Sequence, residues 1–129
     1  MSPPRPPALT SWHRVVETRD PSLLADLLAD DVVFRSPAVF APQEGKAITT
    51  AYLTAALRVL GPTVRYTAEW SDDSGAVLEF EAELDAKLVH GVDILRWGED
   101  DRLTSFTVMV RPVQGLQALI AQMAGALAG

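Results

Sequence analysis

The strictest pattern in the chain is a strand-like alternation near its middle. Apolar residues at 78, 80, 82 and 84 alternate with acidic ones, namely Glu79, Glu81, Glu83 and Asp85. Because successive side chains of a β-strand point to opposite faces of a sheet, the segment predicts a strand with one buried face. Its acidic face is interpreted as solvated or paired with Arg65, Lys87, His90 and Arg96 rather than as a cation site.

Three further segments have strand character, and short turns separate them. The strands are predicted at residues 64–70, about 87–97 and 103–111, with turns at 71–75, 85–86 and 98–102. Connections this short join antiparallel neighbours, so the second half of the chain predicts a four-stranded meander.

The remaining segments mostly follow the helical period. Helices are predicted at residues 8–18, after the Asp20-Pro21 cap, at 46–60, and from Pro112 to the C-terminus. The second carries Leu23, Leu24, Leu27 and Leu28 on one side, and residues 32–34 form a short strand. Helices segregated from a meander indicate an α+β fold, with three N-terminal helices and one C-terminal helix covering a curved antiparallel sheet.

Composition narrows the function classes. The 129 residues favour a single domain, and a net charge of -6 disfavours nucleic acid and anionic membranes as partners. With no cysteine and two histidines, we expect no metal and no cofactor.

The ends of the chain suggest no targeting or spanning segment. Residues 1–7 contain four prolines and are interpreted as a flexible tail preceding a domain at 8–129. No apolar run approaches the roughly 20 residues that span a bilayer, so we expect a cytoplasmic protein.

Four motifs, in this order, carry a family resemblance. They are LADDVVF at 28–34, EGKAI at 44–48, GVDILRW at 91–97 and VMVRP at 108–112. Over about residues 9–128 the chain resembles the nuclear transport factor 2-like superfamily, in its SnoaL-like branch, which includes ketosteroid isomerase, polyketide cyclases and limonene epoxide hydrolase. The resemblance implies a cone-like sheet enclosing a deep pocket. It also implies a homodimer through the outer sheet face, where His90, Val92 and Ile94 would be buried.

Asp93 is the strongest candidate for a catalytic group. Strand pairing across the 85–86 turn places it beside Leu78, on the apolar face that holds Phe80. Burial disfavours the charged form of a carboxyl, so the pKa of Asp93 should rise, and the group could donate a hydrogen bond or act as a base. By resemblance, Asp93 matches the oxyanion-hole acid of ketosteroid isomerase. The alternative is an inward Asp that bonds a neighbouring backbone, Tyr or Trp group and has no chemical role.

Other positions depart from the isomerase. By resemblance, Ser36 stands at the position of its catalytic base, Trp12 at that of its oxyanion-hole tyrosine, and Tyr52 matches a supporting tyrosine. We predict that a ligand contacts Trp12, Phe34, Ser36, Tyr52, Trp97, Phe106 and Val108, although the aromatic residues could equally be ordinary core. His13 could reach the pocket or be a half-buried helical residue.

The sequence therefore predicts a protein that binds a small apolar molecule with a carbonyl or hydroxyl, with isomerisation or cyclisation as a candidate reaction. The alternative is a non-catalytic ligand carrier or a dimeric accessory domain.

Overall fold

The computed structural model describes residues 4–128, which form four α-helices and one six-stranded sheet. The elements in chain order are α1 (Pro7–Thr18), a 3₁₀ turn (Pro21–Leu23), α2 (Leu24–Leu27), β1 (Leu28–Arg35), β2 (Gln43–Glu44), α3 (Lys46–Leu60), β3 (Arg65–Ser71), β4 (Gly75–Leu84), β5 (Lys87–Trp97), β6 (Leu103–Arg111) and α4 (Val113–Ala128). The sheet order is β2-β1-β6-β5-β4-β3. This is the predicted α+β architecture, with helices covering a curved sheet.

The meander from β3 to β6 is antiparallel, as predicted, but the sheet as a whole is mixed. β1 runs parallel to β6, pairing Phe34 with Phe106, and β2 extends the edge beyond β1. Local alternation does not reveal a pairing between segments so far apart in sequence. This pairing also corrects the second predicted helix, because Leu28 has extended backbone and pairs with Leu103.

A β-bulge in β3 changes which residues face inward. Tyr66 pairs with the buried Phe80, but the register shifts between Tyr66 and Ala68. Trp70 consequently pairs with Val77 on the outer face and is 59% exposed. Tyr66 and Trp70 occupy like positions in the alternating sequence, yet they lie on opposite sides of the sheet.

Two of the acidic side chains on β4 are paired with basic residues on neighbouring strands. Glu79 Oε2 lies 2.7 Å from Nε2 of His90 on β5, and Arg65 on β3 contacts Glu81 at 2.5 Å. These contacts match the interpretation of this stripe as a solvated, paired surface.

The structure describes the predicted N-terminal tail from residue 4 onward. Pro7 begins α1, and Nε of Arg5 donates to Glu69 at 3.2 Å. The rest of the predicted tail, residues 1–3, lies outside the described residues. Between residues 4 and 128 no helix is long and apolar enough to cross a membrane, and no cluster of three potential metal ligands is found.

Candidate functional site

A cavity of about 230 Å³ lies between the inner face of the sheet and the helices. Its aromatic lining consists of Trp12, Phe34, Tyr52, Tyr66, Phe80 and Phe106, and aliphatic residues of α3 and α4 complete the wall. Among the described residues that line it, Asp93 is the one acidic side chain, and no Lys, Arg or His is present. The described lining is therefore apolar apart from a few polar side chains, of which Asp93 is the one carboxyl.

Asp93 reaches the cavity because of its register in β5. It pairs with Leu78 of β4, as predicted, and with Val108 of β6 on the other side. Leu78 is fully buried and Asp93 is only 7% exposed. The alternation of β5 thus directs this carboxyl toward the interior rather than the outer face.

The Asp93 carboxyl is the last of three side chains that are connected in series by hydrogen bonds. Nε1 of Trp12 donates to the hydroxyl of Tyr66 at 2.9 Å, and that hydroxyl donates to Oδ2 of Asp93 at 2.6 Å. We call this the Trp12–Tyr66–Asp93 chain. No described residue donates a hydrogen bond to Oδ1 of Asp93, so this oxygen keeps its hydrogen-bonding capacity for a molecule in the cavity.

The charge state of Asp93 is set by two opposing effects. Burial raises its pKa from 3.8 to about 7, and the hydrogen bond from Tyr66 lowers it, without cancelling the burial effect. The pKa of Tyr66 is raised well above its ordinary value, first by burial and then by the nearby Asp93 charge. Near neutral pH, Asp93 therefore exists in both protonation states, whereas Tyr66 remains a neutral donor.

A continuous row of rings connects the two sides of the cavity. The ring centroids of Trp12 and Phe106 are 4.8 Å apart in an edge-on arrangement, and those of Phe34 and Phe106 are 6.0 Å apart. Tyr52 stacks on Phe34 at 5.3 Å. Such contacts hold bulky rings in fixed positions, which gives the cavity a defined shape.

The structure brings most of the predicted site residues together. Trp12, Phe34, Ser36, Tyr52, Phe106, Val108 and Asp93 all line the cavity. Trp97 does not: it packs into the core, and its indole N–H donates to the carbonyl of Asp73 at 2.9 Å. β5 is longer than the cavity. An inward-facing residue near the end of this strand, such as Trp97, therefore packs in the core without lining the cavity.

His13 also lies away from the cavity lining. Its Nε2 is 2.6 Å from Oε1 of Glu69, and its ring meets Tyr66 edge-on with centroids 5.4 Å apart. Of the two alternatives for His13, the structure shows the half-buried helical residue, with its ring edge-on to that of Tyr66.

Tyr66 is the residue of this candidate site that the sequence analysis missed. Its inward position on β3 was a usable signal, because a buried tyrosine hydroxyl needs a polar partner and Asp93 was the one predicted buried carboxyl. The bulge between Tyr66 and Trp70 cannot be seen in the alternating sequence, so the pattern places both residues on the same face of the sheet.

Comparison with known proteins decides the family. Residues 9–106 match the sequence profile of the SnoaL-like domain. The chain belongs to the SnoaL-like domain family. This SnoaL-like domain also resembles solved structures of the nuclear transport factor 2-like fold, as the sequence motifs implied.

Three such structures illustrate the range of similarity. A steroid delta-isomerase from Pseudomonas aeruginosa is 37% identical with a TM-score of 0.89, and the match covers 94% of this chain and 89% of that one. An uncharacterised protein with a cystatin-like fold from Silicibacter pomeroyi DSS-3 is 28% identical with a TM-score of 0.85, over 92% of this chain and 84% of that one. An NTF2-like protein of unknown function from Mesorhizobium loti is 17% identical with a TM-score of 0.71, over 81% and 88%, and shows the fold alone. No curated protein matches this SnoaL-like domain.

Proposed function

We propose that the cavity binds a small, uncharged and largely apolar organic molecule whose carbonyl or hydroxyl oxygen forms a hydrogen bond with Asp93. The observation that carries this proposal is the free Oδ1 of Asp93 inside an apolar cavity. No described lining residue is cationic, so a carboxylate or phosphate group on the ligand would enter without a counter-charge.

The cavity volume supports a ligand of modest size. An apolar cavity of about 150 Å³ accommodates benzene, so the roughly 230 Å³ present here suits a molecule of one or two rings. The aromatic wall supplies apolar contact area for such a ring system.

Proton transfer is the chemistry that this carboxyl supports best. With a pKa of about 7, Asp93 can donate a proton or hydrogen bond in one state and accept a proton in the other. The likeness to the Pseudomonas steroid delta-isomerase points in the same direction. Because Ser36 is neutral and Asp93 is the one carboxyl among the described lining residues, an isomerisation would use ionised Asp93 to remove a proton from one ligand carbon and return it to another, and Asp93 would not donate to the carbonyl oxygen in that step.

Ser36 also favours a second candidate function, that of a carrier. A hydroxyl there can bind a ligand oxygen but cannot act as a base at neutral pH. A domain with one titrating carboxyl and no second base could retain a ligand without converting it.

The substitution Asp93→Asn tests both candidates, because an amide still accepts from Tyr66 but does not titrate. For a catalyst, turnover of the non-conjugated ketone 3-cyclohexen-1-one to its conjugated isomer should fall at least 100-fold, the lower end for loss of a general acid or base. For a carrier, wild-type turnover should be absent, and affinity for 4-isopropylacetophenone should change less than tenfold, or about 1.4 kcal/mol. The matched control is Asp31→Asn, which alters an exposed acid on β1.

Full activity in Asp93→Asn would exclude the catalytic assignment. Failure of the wild-type protein to bind any uncharged ketone of this size would exclude the cavity proposal itself. Calorimetry and absorbance at the wavelength of the conjugated product supply the two measurements.

We further propose that two copies associate through the outer face of the sheet. Cross-strand neighbours place Trp70 beside Val77, Val77 beside Ile94, and Val92 beside Met109 on that face. Trp70 and Met109 are 59% and 55% exposed. These apolar side chains surround the paired Glu79 and His90, and exposed apolar side chains on one sheet face are typical of a self-complementary two-fold contact.

The substitution Val92→Glu tests the dimer, because the new carboxylate would stand beside Glu79 on this face of the sheet. Sedimentation should show a dimer for the wild type and a monomer for the variant. A wild-type monomer at high concentration would contradict the proposal.

A further inference from the structure

The cavity has a second polar position, separate from Asp93. β1 ends at Arg35, which pairs with Thr107 of β6. The residues that follow these two in sequence, Ser36 and Val108, both line the cavity. Val108 in turn pairs with Asp93. Ser36, directly after the end of β1, and Asp93 on β5 therefore lie on opposite sides of Val108 on β6.

The hydroxyl groups on the β1 side are available to a ligand. Oγ of Ser36 accepts a hydrogen bond from the backbone N–H of Ala38 at 3.1 Å, which leaves its own O–H free to donate. Tyr52 stacks on Phe34, two residues before Ser36, and its hydroxyl forms no hydrogen bond with the described residues. We call Ser36 and Tyr52 the hydroxyl pair.

The separation between the two polar positions fits a ring-sized molecule. Neighbouring strands lie about 4.8 Å apart, so the backbones of Asp93 and Ser36 are roughly 10 Å apart across β6. The two side chains and their hydrogen bonds to a ligand occupy part of this distance, and the ligand itself occupies the rest. A ligand that satisfied both positions would carry its two oxygens on opposite sides of one ring.

We propose that the ligand is bifunctional, with one oxygen bound by Asp93 and a second uncharged acceptor across the ring bound by the hydroxyl pair. This inference rests on the proposed function, because it assumes that a ring occupies the cavity and that Asp93 binds one end of it. The hydroxyl pair then determines specificity, distinguishing diketones and keto-alcohols from ketones with a purely hydrocarbon far end.

Two probes of nearly the same shape isolate the second contact. 1,4-Diacetylbenzene has a carbonyl at each end, whereas 4-isopropylacetophenone replaces one of these with an isopropyl group. Ser36→Ala and Tyr52→Phe each remove one hydroxyl. Each should weaken binding of 1,4-diacetylbenzene by about fivefold, the loss expected for one hydrogen bond. Binding of 4-isopropylacetophenone should change less than twofold. Ser36→Thr, which keeps the hydroxyl, should retain the preference for the diketone.

The outcomes separate this inference from the proposed function. If neither Ser36→Ala nor Tyr52→Phe changes the affinity ratio of the two probes, the hydroxyl pair plays no part in recognition and the inference is wrong, while Asp93-dependent binding can still stand. If 4-isopropylacetophenone fails to bind the wild-type protein, the proposed function fails and the inference fails with it. Calorimetric titrations of the wild type and four variants provide these comparisons, with circular dichroism to confirm that each variant is folded.

Discussion

The hydroxyl of Tyr66 lies 2.6 Å from Oδ2 of Asp93, although their strands are not neighbours in the sheet. β4 separates β3 from β5, so the tyrosine side chain reaches across the inner face to meet the carboxyl. The same hydroxyl accepts the indole N–H of Trp12. One phenol therefore connects α1 to the sheet and lowers the pKa of the one carboxyl among the described lining residues.

Removing the Tyr66 hydroxyl should raise the pKa of Asp93 above about 7. The hydrogen bond from Tyr66 favours the ionised carboxylate, so Tyr66→Phe removes a stabilising effect on that form. The variant should also lose about 1–3 kcal/mol of stability, because Trp12 and Asp93 are left without their partner. Carbon-13 NMR of the carboxyl measures the pKa, and urea unfolding measures stability. Tyr52→Phe is the matched control, since its hydroxyl has no bond to lose; an unchanged Asp93 pKa in Tyr66→Phe would contradict the prediction.

Stability should decrease as pH rises from about 4 to beyond 7. The pKa of Asp93 is 3.8 when exposed and about 7 when folded, so the folded state binds more protons in this window. The contribution present below pH 4 is therefore lost as pH passes through 7, at a cost of roughly 4 kcal/mol. Urea unfolding at pH 5 and pH 8 should show about 3 kcal/mol of this loss, because the remainder has already occurred by pH 5. In Asp93→Asn the difference should shrink, and a variant with the full wild-type slope would show that other groups cause it.

Affinity for an uncharged ketone should fall with pH above about 7. A carbonyl oxygen needs a donor, and Asp93 is a donor only when protonated. Binding of 4-isopropylacetophenone should be about tenfold weaker at pH 8 than at pH 6, as the protonated fraction decreases. The reverse slope, with tighter binding at pH 8, would indicate that the cavity prefers organic cations.

Ligand binding should change the fluorescence of one tryptophan. Trp12 lines the cavity, Trp70 is exposed on the outer face, and Trp97 is buried away from the cavity. Titration with 4-isopropylacetophenone should therefore alter emission in the wild type and in Trp70→Phe but not in Trp12→Phe. A ligand signal that survives in Trp12→Phe would place binding elsewhere.

A methyl group at Gly91 should destabilise the fold. A Cβ there would lie 2.3 Å from the carbonyl oxygen of Met109 and 2.8 Å from the ring of Phe80, so strand or ring must shift. Gly91→Ala should cost about 1–3 kcal/mol, as overpacked sites do. Gly125→Ala is the control: a Cβ meets open space within α4, and the variant should gain up to about 1 kcal/mol. Equal melting temperatures for the two variants would contradict the close approach at Gly91.

Local patterns predicted the elements, and strand pairing explains where they failed. α3, β5 and β6 have the predicted bounds because periodicity and turn residues act within a few residues. The parallel pairing of β1 with β6 was not predicted because it depends on contacts between distant segments. The helical assignment of Leu28 failed for the same reason.

The site was predictable to a similar extent. The placement of Asp93 followed from the register of one hairpin, since a two-residue turn fixes which residues oppose each other. Tyr66 required knowledge of a bulge, and the exclusion of Trp97 required the three-dimensional extent of the cavity. Neither feature has a local sequence signal as strong as alternation.

The parallel pairing of β1 with β6 has a consequence for the order of assembly. It joins Phe34 from the first third of the chain to Phe106 from the last fifth, and the cavity wall needs both. Contacts between segments so far apart in sequence form slowly, because closing a long loop costs conformational entropy. A chain in which β6 has not yet paired with β1 thus has an incomplete wall, so the proposed ligand site is complete only after these two segments meet.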